Sequence, residues 1–281
     1  MIARVIAVTN QKGGVAKTTT AVNLLAAFAR RGLRCLLVDI DPQGNASVSS
    51  GVSIHRLETG IYEVLLGEAE IKSAIVASND QYDILPASPA LAGAQVELLE
   101  FSNKDYRLRD ALNEVVADYD VILIDTPPSL NILTINALAA ASDVLIPVQC
   151  EYFALEGLSG LITTMGMVRK ALNPELKILG VVRTMYDGRN SLTIEVSRQL
   201  NKHFREKVFK TLIPRNIRLA EAPSHGQSVL EYDARCKGAI AYIALAEEIL
   251  GPSNGRKKAN KGKKSKVGTW AGRLTGREQR A

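Results

Sequence analysis

An apolar run, Arg4-Val5-Ile6-Ala7-Val8, leads almost directly into Gln11-Lys12-Gly13-Gly14-Val15-Ala16-Lys17-Thr18-Thr19-Thr20, and an alanine- and leucine-rich stretch then continues to Arg30. No other feature of the chain restricts the fold as strongly, because the order reads as strand, glycine loop, helix. A loop of small residues lets backbone N–H groups turn inward around an anion. A lysine reaches the outer phosphates, and a Ser/Thr hydroxyl serves Mg²⁺. Lys17 and Thr18 stand in those two places. A helix starting beside them adds the positive end of its dipole.

Two further segments share one design. Cys35-Leu36-Leu37-Val38-Asp39-Ile40-Asp41-Pro42 and Val121-Ile122-Leu123-Ile124-Asp125-Thr126-Pro127-Pro128 are apolar runs closed by acids. Continuous apolar runs mark parallel strands covered on both faces. Ligands of open α/β sheets gather where such strands end. Asp125 is therefore placed to hold Mg²⁺, usually through a water, since this ion keeps most of its hydration shell. Asp39 fits a metal-bound water or a supporting role. Asp41 either works at the site or caps the turn before Pro42. The Thr126-Pro127-Pro128 segment cannot continue a strand and makes a good mobile loop.

The glycine loop does not follow the common pattern G-x-x-x-x-G-K-[ST]; Gln11 and Ala16 occupy the glycine positions. It resembles the deviant loop K-G-G-x-x-K-[ST] of the ParA/MinD group of ATPases. The resemblance covers residues 4 to 250 and is closest to the chromosomal Soj branch in Ile213-Pro214-Arg215-Asn216-Ile217-Arg218 and the residues after it. It implies a P-loop NTPase fold: one doubly wound, mostly parallel α/β sheet with helices on both faces. It implies ATP held by Lys12, Gly13, Gly14, Val15, Ala16, Lys17, Thr18 and Thr19, with Pro214 and Asn216 bordering the adenine. It further implies that Asp41 orients the attacking water and that a switch loop follows it. Lys12 would cross a homodimer to the partner's nucleotide. Family members usually carry glycine at position 16, and a methyl there is a small change only if the backbone keeps φ < 0. Arg218 and Arg189 match DNA-contacting positions of that branch; the residues alone read equally as solvated surface charges.

Charge divides the chain. The net charge of +6 conceals a segment, 252–281, with ten Lys/Arg against the single acid Glu278, while the preceding 251 residues hold 25 basic and 28 acidic side chains. A segment so poor in apolar residues is expected to stay disordered. This sets an expected division into an ATPase domain, 1–251, and a basic tail, 252–281. Lys257, Lys258, Lys263 and Lys264 would neutralise DNA phosphates and release counterions, or merely solubilise the chain. Trp270, the one tryptophan, can stack on a base, enter a lipid headgroup layer or do neither.

Composition narrows the alternatives. The chain is 46% hydrophobic and only 5% aromatic, which suits an aliphatic sheet packed by alanine-rich helices. Cys35, Cys150 and Cys236 are odd in number and widely spaced, which gives no disulfide framework and points to a reducing cytosol. The same count argues against a nitrogenase iron protein, which shares the loop but needs paired cluster-binding cysteines. No secretory leader or apolar run of about 18 residues is apparent, so a soluble, cytoplasmic protein without stable membrane association is expected, and the resemblance implies that it is nucleoid-associated. Lys12 lies too near the start for a helix-turn-helix extension before it, as in a short-form partition ATPase.

The expected activity is Mg²⁺-dependent ATP hydrolysis in a partition cycle, with non-specific double-stranded DNA and a ParB-like adaptor as partners. A ParA-like positioner of a protein cargo, such as a carboxysome or chemoreceptor cluster, is an alternative. So is a MinD-like membrane-cycling regulator, although the tail lacks an apolar stripe. A DNA-coating protein without turnover would follow if Ala16 disables hydrolysis. Strands are expected at 4–9, 34–39, 82–86, 120–125, 143–147, 176–184 and 207–213. Helices are expected at 18–31, 57–66, 105–117, 130–141, 156–172, 191–204 and 238–250. The helix 191–204 presents a basic face suited to DNA phosphates or simply to solvent.

Overall fold

The computed structural model describes residues 3–251. The elements in chain order are β1 (Arg4–Val8), α1 (Lys17–Arg30), β2 (Cys35–Asp39), α2 (Asn45–Ser49), α3 (Ile61–Leu66), α4 (Ile71–Ala74), β3 (Val76–Ala77) and β4 (Asp83–Leu85). There follow α5 (Leu91–Glu97), α6 (Arg107–Leu112), β5 (Val121–Asp125), α7 (Ile132–Ala140), β6 (Asp143–Gln149) and α8 (Ala154–Ala171). The chain continues through β7 (Lys177–Tyr186), α9 (Ser191–Phe204), β8 (Val208–Pro214), α10 (Ile217–Glu221), α11 (Val229–Tyr232) and α12 (Lys237–Leu250).

The eight strands form one sheet in the order β3-β4-β2-β5-β1-β6-β7-β8. Only β3 is antiparallel, paired to β4; the other neighbours are parallel. Every residue of β2 and β5 is buried, as strands covered on both faces must be. Two aliphatic clusters make the core, one on each face of the sheet. α1 and α12 pack together over one face. The chain order reverses at β1, which lies between β5 and β6, so a crevice opens beyond the carboxyl ends of these strands.

All seven expected strands and seven expected helices are present, with shifted ends. The helix expected over 57–66 starts at Ile61, because Gly60 caps it and donates its N–H to Glu63 Oε2 at 2.7 Å. The helix expected over 105–117 stops at Leu112, and 116–118 form a separate 3₁₀ turn. The segment after Asp41 holds a short helix, α2, within the region expected to be a loop. β3, α4, α5, α10 and α11 were also unexpected; most are too short for any periodic signal. Lys257, Lys258, Lys263, Lys264 and Trp270 lie outside the described residues.

Candidate functional site: a phosphate loop facing two buried carboxylates

The glycine loop joins β1 to α1 at the crevice. Its back is braced by three elements. Asn10 Nδ2 donates to Pro147 O at 2.8 Å, Gln11 Nε2 to Thr164 Oγ1 at 3.2 Å, and Thr184 Oγ1 to Val15 O at 3.0 Å. Its front is open: Gly13 and Gly14 are exposed, and a Cβ on either would meet nothing within 4 Å. Gly14 has φ +72°, a left-handed conformation that glycine adopts freely. Ala16, at the start of α1, has φ +66° and ψ +38°. The condition set for a harmless methyl, φ < 0, is therefore not met; this alanine holds a backbone position that favours glycine.

Lys17 is buried, and its Nζ donates to Lys12 O at 3.1 Å. Burial lowers its pKa, against the opposing charges of Asp125 and Asp41. Thr18 Oγ1 donates to Asp125 Oδ2 at 2.7 Å. The other Asp125 oxygen is buried with no partner among the described residues. Burial first, then the charge of Asp39, pushes the Asp125 carboxyl well above the usual range. The two acids stand side by side because Asp39 pairs with Asp125 across β2 and β5.

Asp39 is differently occupied. One oxygen accepts the Ser47 N–H at 2.8 Å and its hydroxyl at 2.7 Å; the other accepts the Asp41 N–H at 3.2 Å. It ties α2 and its connecting loop to the sheet, and burial lifts its pKa to about 6. Asp41 is also buried and accepts the Gln43 N–H at 3.0 Å, which closes a turn spanning Pro42. Its charge still reaches both Asp125 and Lys17.

An apolar cavity of about 210 Å³ adjoins the loop, lined in part by Ala16, Thr19, Met185, Pro214, Asn216 and Tyr242. Asn216 Oδ1 accepts the Arg218 N–H at 2.9 Å and caps α10. The cavity brings Pro214 and Asn216 next to the end of the glycine loop. Met185, with φ +49° at the end of β7, was not anticipated.

Lys12, Arg189 and Arg218 are already engaged. Lys12 Nζ bonds Glu151 Oε2 at 2.7 Å, within the same chain. Arg189 makes a two-pronged contact with Asp187 at 2.9 Å, which holds that carboxyl at about 2. Arg218 meets Glu221 at 2.7 Å and Asp233 at 3.5 Å. Sequence reasoning missed Glu151 and Ser47. Glu151 follows the end of an apolar strand, as Asp39 and Asp125 end theirs, and that was the available signal. Ser47 had none.

Mg²⁺ fits these residues. The orphaned Asp125 oxygen and the Thr18 hydroxyl are hard oxygen donors side by side, and a hydrated cation would relieve the repulsion between Asp125 and Asp39. The open loop with Lys17 beneath it fits a polyphosphate.

Strand, loop, lysine and paired acids together define a P-loop ATPase. A family model described as AAA domain matches residues 3–178. The chain is 51% identical over 247 residues to the sporulation initiation inhibitor protein Soj of Bacillus subtilis, covering 88% of this chain and 98% of that protein. It is 50% identical over 250 residues to the chromosome partitioning protein ParA of Caulobacter vibrioides, covering 88% of this chain and 94% of that one. A crystal structure of cobyrinic acid a,c-diamide synthase from Mycobacterium smegmatis, with bound ADP and magnesium, superposes with a TM-score of 0.79. It is 40% identical, over 89% of this chain and 94% of that one. The chain belongs to the ParA/Soj family of chromosome-partitioning ATPases.

Proposed function

We propose that the chain binds Mg·ATP at this loop, dimerises around two nucleotides, holds non-specific DNA as a dimer, and releases it after hydrolysis. The reading rests above all on the unpartnered Asp125 oxygen, beside the Thr18 hydroxyl and behind a lysine-bearing loop. Bound Mg²⁺ would neutralise charge developing on the transferred phosphoryl group. Thr18 and Asp125 would hold it, Asp125 through a water, with Asp39 fixing the surrounding loop.

The residues divide the rest. Lys17 exchanges its bond to Lys12 O for the β- and γ-phosphates. Backbone N–H groups of Gly13, Gly14, Val15 and Ala16 take the phosphate oxygens, and Thr19 lies on the base side. Pro214 and Asn216 border the adenine. Asp41 orients the water, and Lys12 leaves Glu151 for the partner's nucleotide. Charge stabilisation of this kind carries most of phosphoryl transfer. Dimerisation doubles the arginines facing DNA, so weak contacts by Arg189 and Arg218 add up. Lys257, Lys258, Lys263 and Lys264 would add sequence-independent affinity. A ParB-like adaptor at centromere-like sites would stimulate hydrolysis and complete a nucleoid-associated cycle in the cytoplasm. No described helix is long and apolar enough to cross a membrane.

The test is duplex binding with ATP, ADP or no nucleotide at two salt concentrations. ATP should raise affinity, Lys17→Ala should erase that increment, and Asp41→Ala should trap a DNA-bound dimer. An Asp41→Ala protein that stays monomeric with ATP would refute the assigned role.

A further inference from the structure

At the edge of the site β7 carries one residue more than its neighbour. Arg183 stands opposite Leu212 and Tyr186 opposite Pro214, so Thr184 and Met185 of β7 match Ile213 alone. A bulge of this kind re-aims a side chain that strict alternation would send to the other face. The surroundings show which way. Arg183 Nη1 donates to Ser197 Oγ of α9 at 2.8 Å, and Tyr186 packs against the core cluster that holds Val196 and Leu200 of the same helix. Between them, Thr184 and Met185 both turn to the glycine loop. Thr184 Oγ1 donates to Val15 O at 3.0 Å, and Met185 joins Ala16 and Thr19 in the wall of the apolar cavity.

The backbone is strained to achieve this. Met185 has φ +49°, a left-handed conformation disfavoured for a residue with a Cβ. A non-glycine residue held there beside a ligand cavity points to a use for its side chain. A thioether on an unbranched stem suits the flat face of an aromatic ring.

The chain runs from this bulge straight into a proposed DNA contact. Asp187 accepts the Arg189 N–H at 3.1 Å and both prongs of its guanidinium at 2.9 Å. Asn190 Oδ1 then accepts the Leu192 N–H at 2.9 Å and caps α9. The Arg189 side chain is 91% exposed, yet an acid of its own loop occupies it. A guanidinium whose fork is filled by a carboxylate is not free for a phosphate. Arg215, another lining residue of the cavity, also reaches Asp187 with its charge. Two residues that wall the cavity thus bear on the acid that occupies Arg189.

We infer that Met185 is a positioning residue that reads the base: a purine seated against its thioether fixes the bulge, and the bulge sets the hold of Asp187 on Arg189. The base, and not the phosphates alone, then licenses the DNA-bound state. The inference rests on the proposed partition cycle and adds the route from nucleotide to DNA. A base can favour the DNA-competent arrangement only by binding it more tightly. Linkage makes the effect reciprocal, so duplex DNA tightens ATP binding by the factor with which ATP tightens duplex binding.

The test uses the full chain and its Met185→Ala and Met185→Leu variants. Affinity for a duplex of unrelated sequence is measured with saturating Mg·ATP, with saturating Mg·UTP and without nucleotide. In the wild type ATP should give roughly fivefold or more tighter duplex binding than UTP, whose smaller pyrimidine reaches Met185 less. Met185→Ala should lose that difference even at saturation, and the duplex should no longer tighten its ATP binding. Met185→Leu refills the wall and should keep both. Asp187→Asn, which keeps the turn but removes the charge, should return the Met185→Ala protein toward wild-type duplex affinity. Full coupling in Met185→Ala would overturn the inference, as would equal gains from ATP and UTP in the wild type. So would a Met185→Leu protein as impaired as Met185→Ala, or a double variant left at the Met185→Ala level. If no nucleotide raises duplex affinity in the wild type, the partition cycle fails. Nucleotide binding alone then decides the base reading: a preference for ATP over UTP that Met185→Ala loses and Met185→Leu keeps supports it, and a preference indifferent to residue 185 sinks it.

Discussion

Ala16 places a methyl group in left-handed backbone at the point where the phosphate loop becomes a helix. Such a conformation costs an L-residue about 1–2 kcal/mol, offset in part by the greater freedom glycine loses on folding. Ala16→Gly should therefore stabilise the protein by about 1 kcal/mol and raise the thermal midpoint by ~2–4 °C. A midpoint that falls would mean that the surrounding loop, not residue 16, sets this geometry. Lys12 poses a different problem, because its ammonium is held by Glu151 within the subunit while its proposed work lies across a dimer. Exposed pairs contribute about 0.2–1 kcal/mol. Glu151→Gln removes two such restraints per dimer, so ATP-dependent dimerisation should tighten several-fold while single-subunit nucleotide affinity stays level. Sedimentation with ATP checks this, and an unchanged dimer constant would show that the pair restrains nothing.

At the scale of elements, β2 and β5 end in two buried carboxylates in register. Burial lifts both, Asp39 to about 6 from the usual 3.8, and the charge of Asp39 adds to the rise at Asp125. The folded protein then holds more protons than the unfolded chain as pH rises from about 4 through 6, so these groups contribute a loss of stability across that window. Asp125, also raised, adds to the loss. Asp125→Asn removes one of the two raised carboxyls, so metal-free variant protein should lose less stability than wild type between about pH 4 and 6 by chemical unfolding. Adding Mg·ADP should flatten the wild-type slope and not the variant's. Parallel losses in the two metal-free proteins would contradict the account. The same strands show why the sheet was legible: buried on both faces, they spell continuous apolar runs with the functional acid at the end. Helices α1, α8, α9 and α12 are long enough for their period to register. α2 has five residues and is defined by Ser47 bonding Asp39, a partner eight positions away that no periodicity reveals. The glycine loop announces itself through spacing, whereas the Lys12–Glu151 pair spans 139 positions and exists only once β1 and β6 are neighbours.

Across the whole molecule, the two edges of the sheet carry unlike surfaces. Among the described residues, the amino-terminal edge carries charged side chains such as Arg4, Arg34 and Lys177, each in an ion pair, while the carboxyl edge combines the phosphate loop with exposed apolar side chains. Leu130, Tyr152, Phe153, Leu192 and Ile194 all follow strand ends there, and Tyr152 and Phe153 are 75% and 62% exposed in an edge-to-face pair beside Glu151. A single subunit gains nothing from leaving two aromatics in water next to the lysine proposed to reach a partner. Buried at the centre of an interface, aromatics of this kind contribute about 2 kcal/mol or more each. Tyr152→Ser with Phe153→Ser should therefore weaken the ATP-loaded dimer by at least ~100-fold, given roughly 1.4 kcal/mol per tenfold. Neither residue lines the loop or the apolar cavity, so ADP affinity of the single subunit should hold. Sedimentation in the Asp41→Ala background, where hydrolysis no longer drains the dimer, isolates the effect. A double variant that dimerises normally there would move the interface away from this edge and leave Lys12 without a partner's nucleotide to reach.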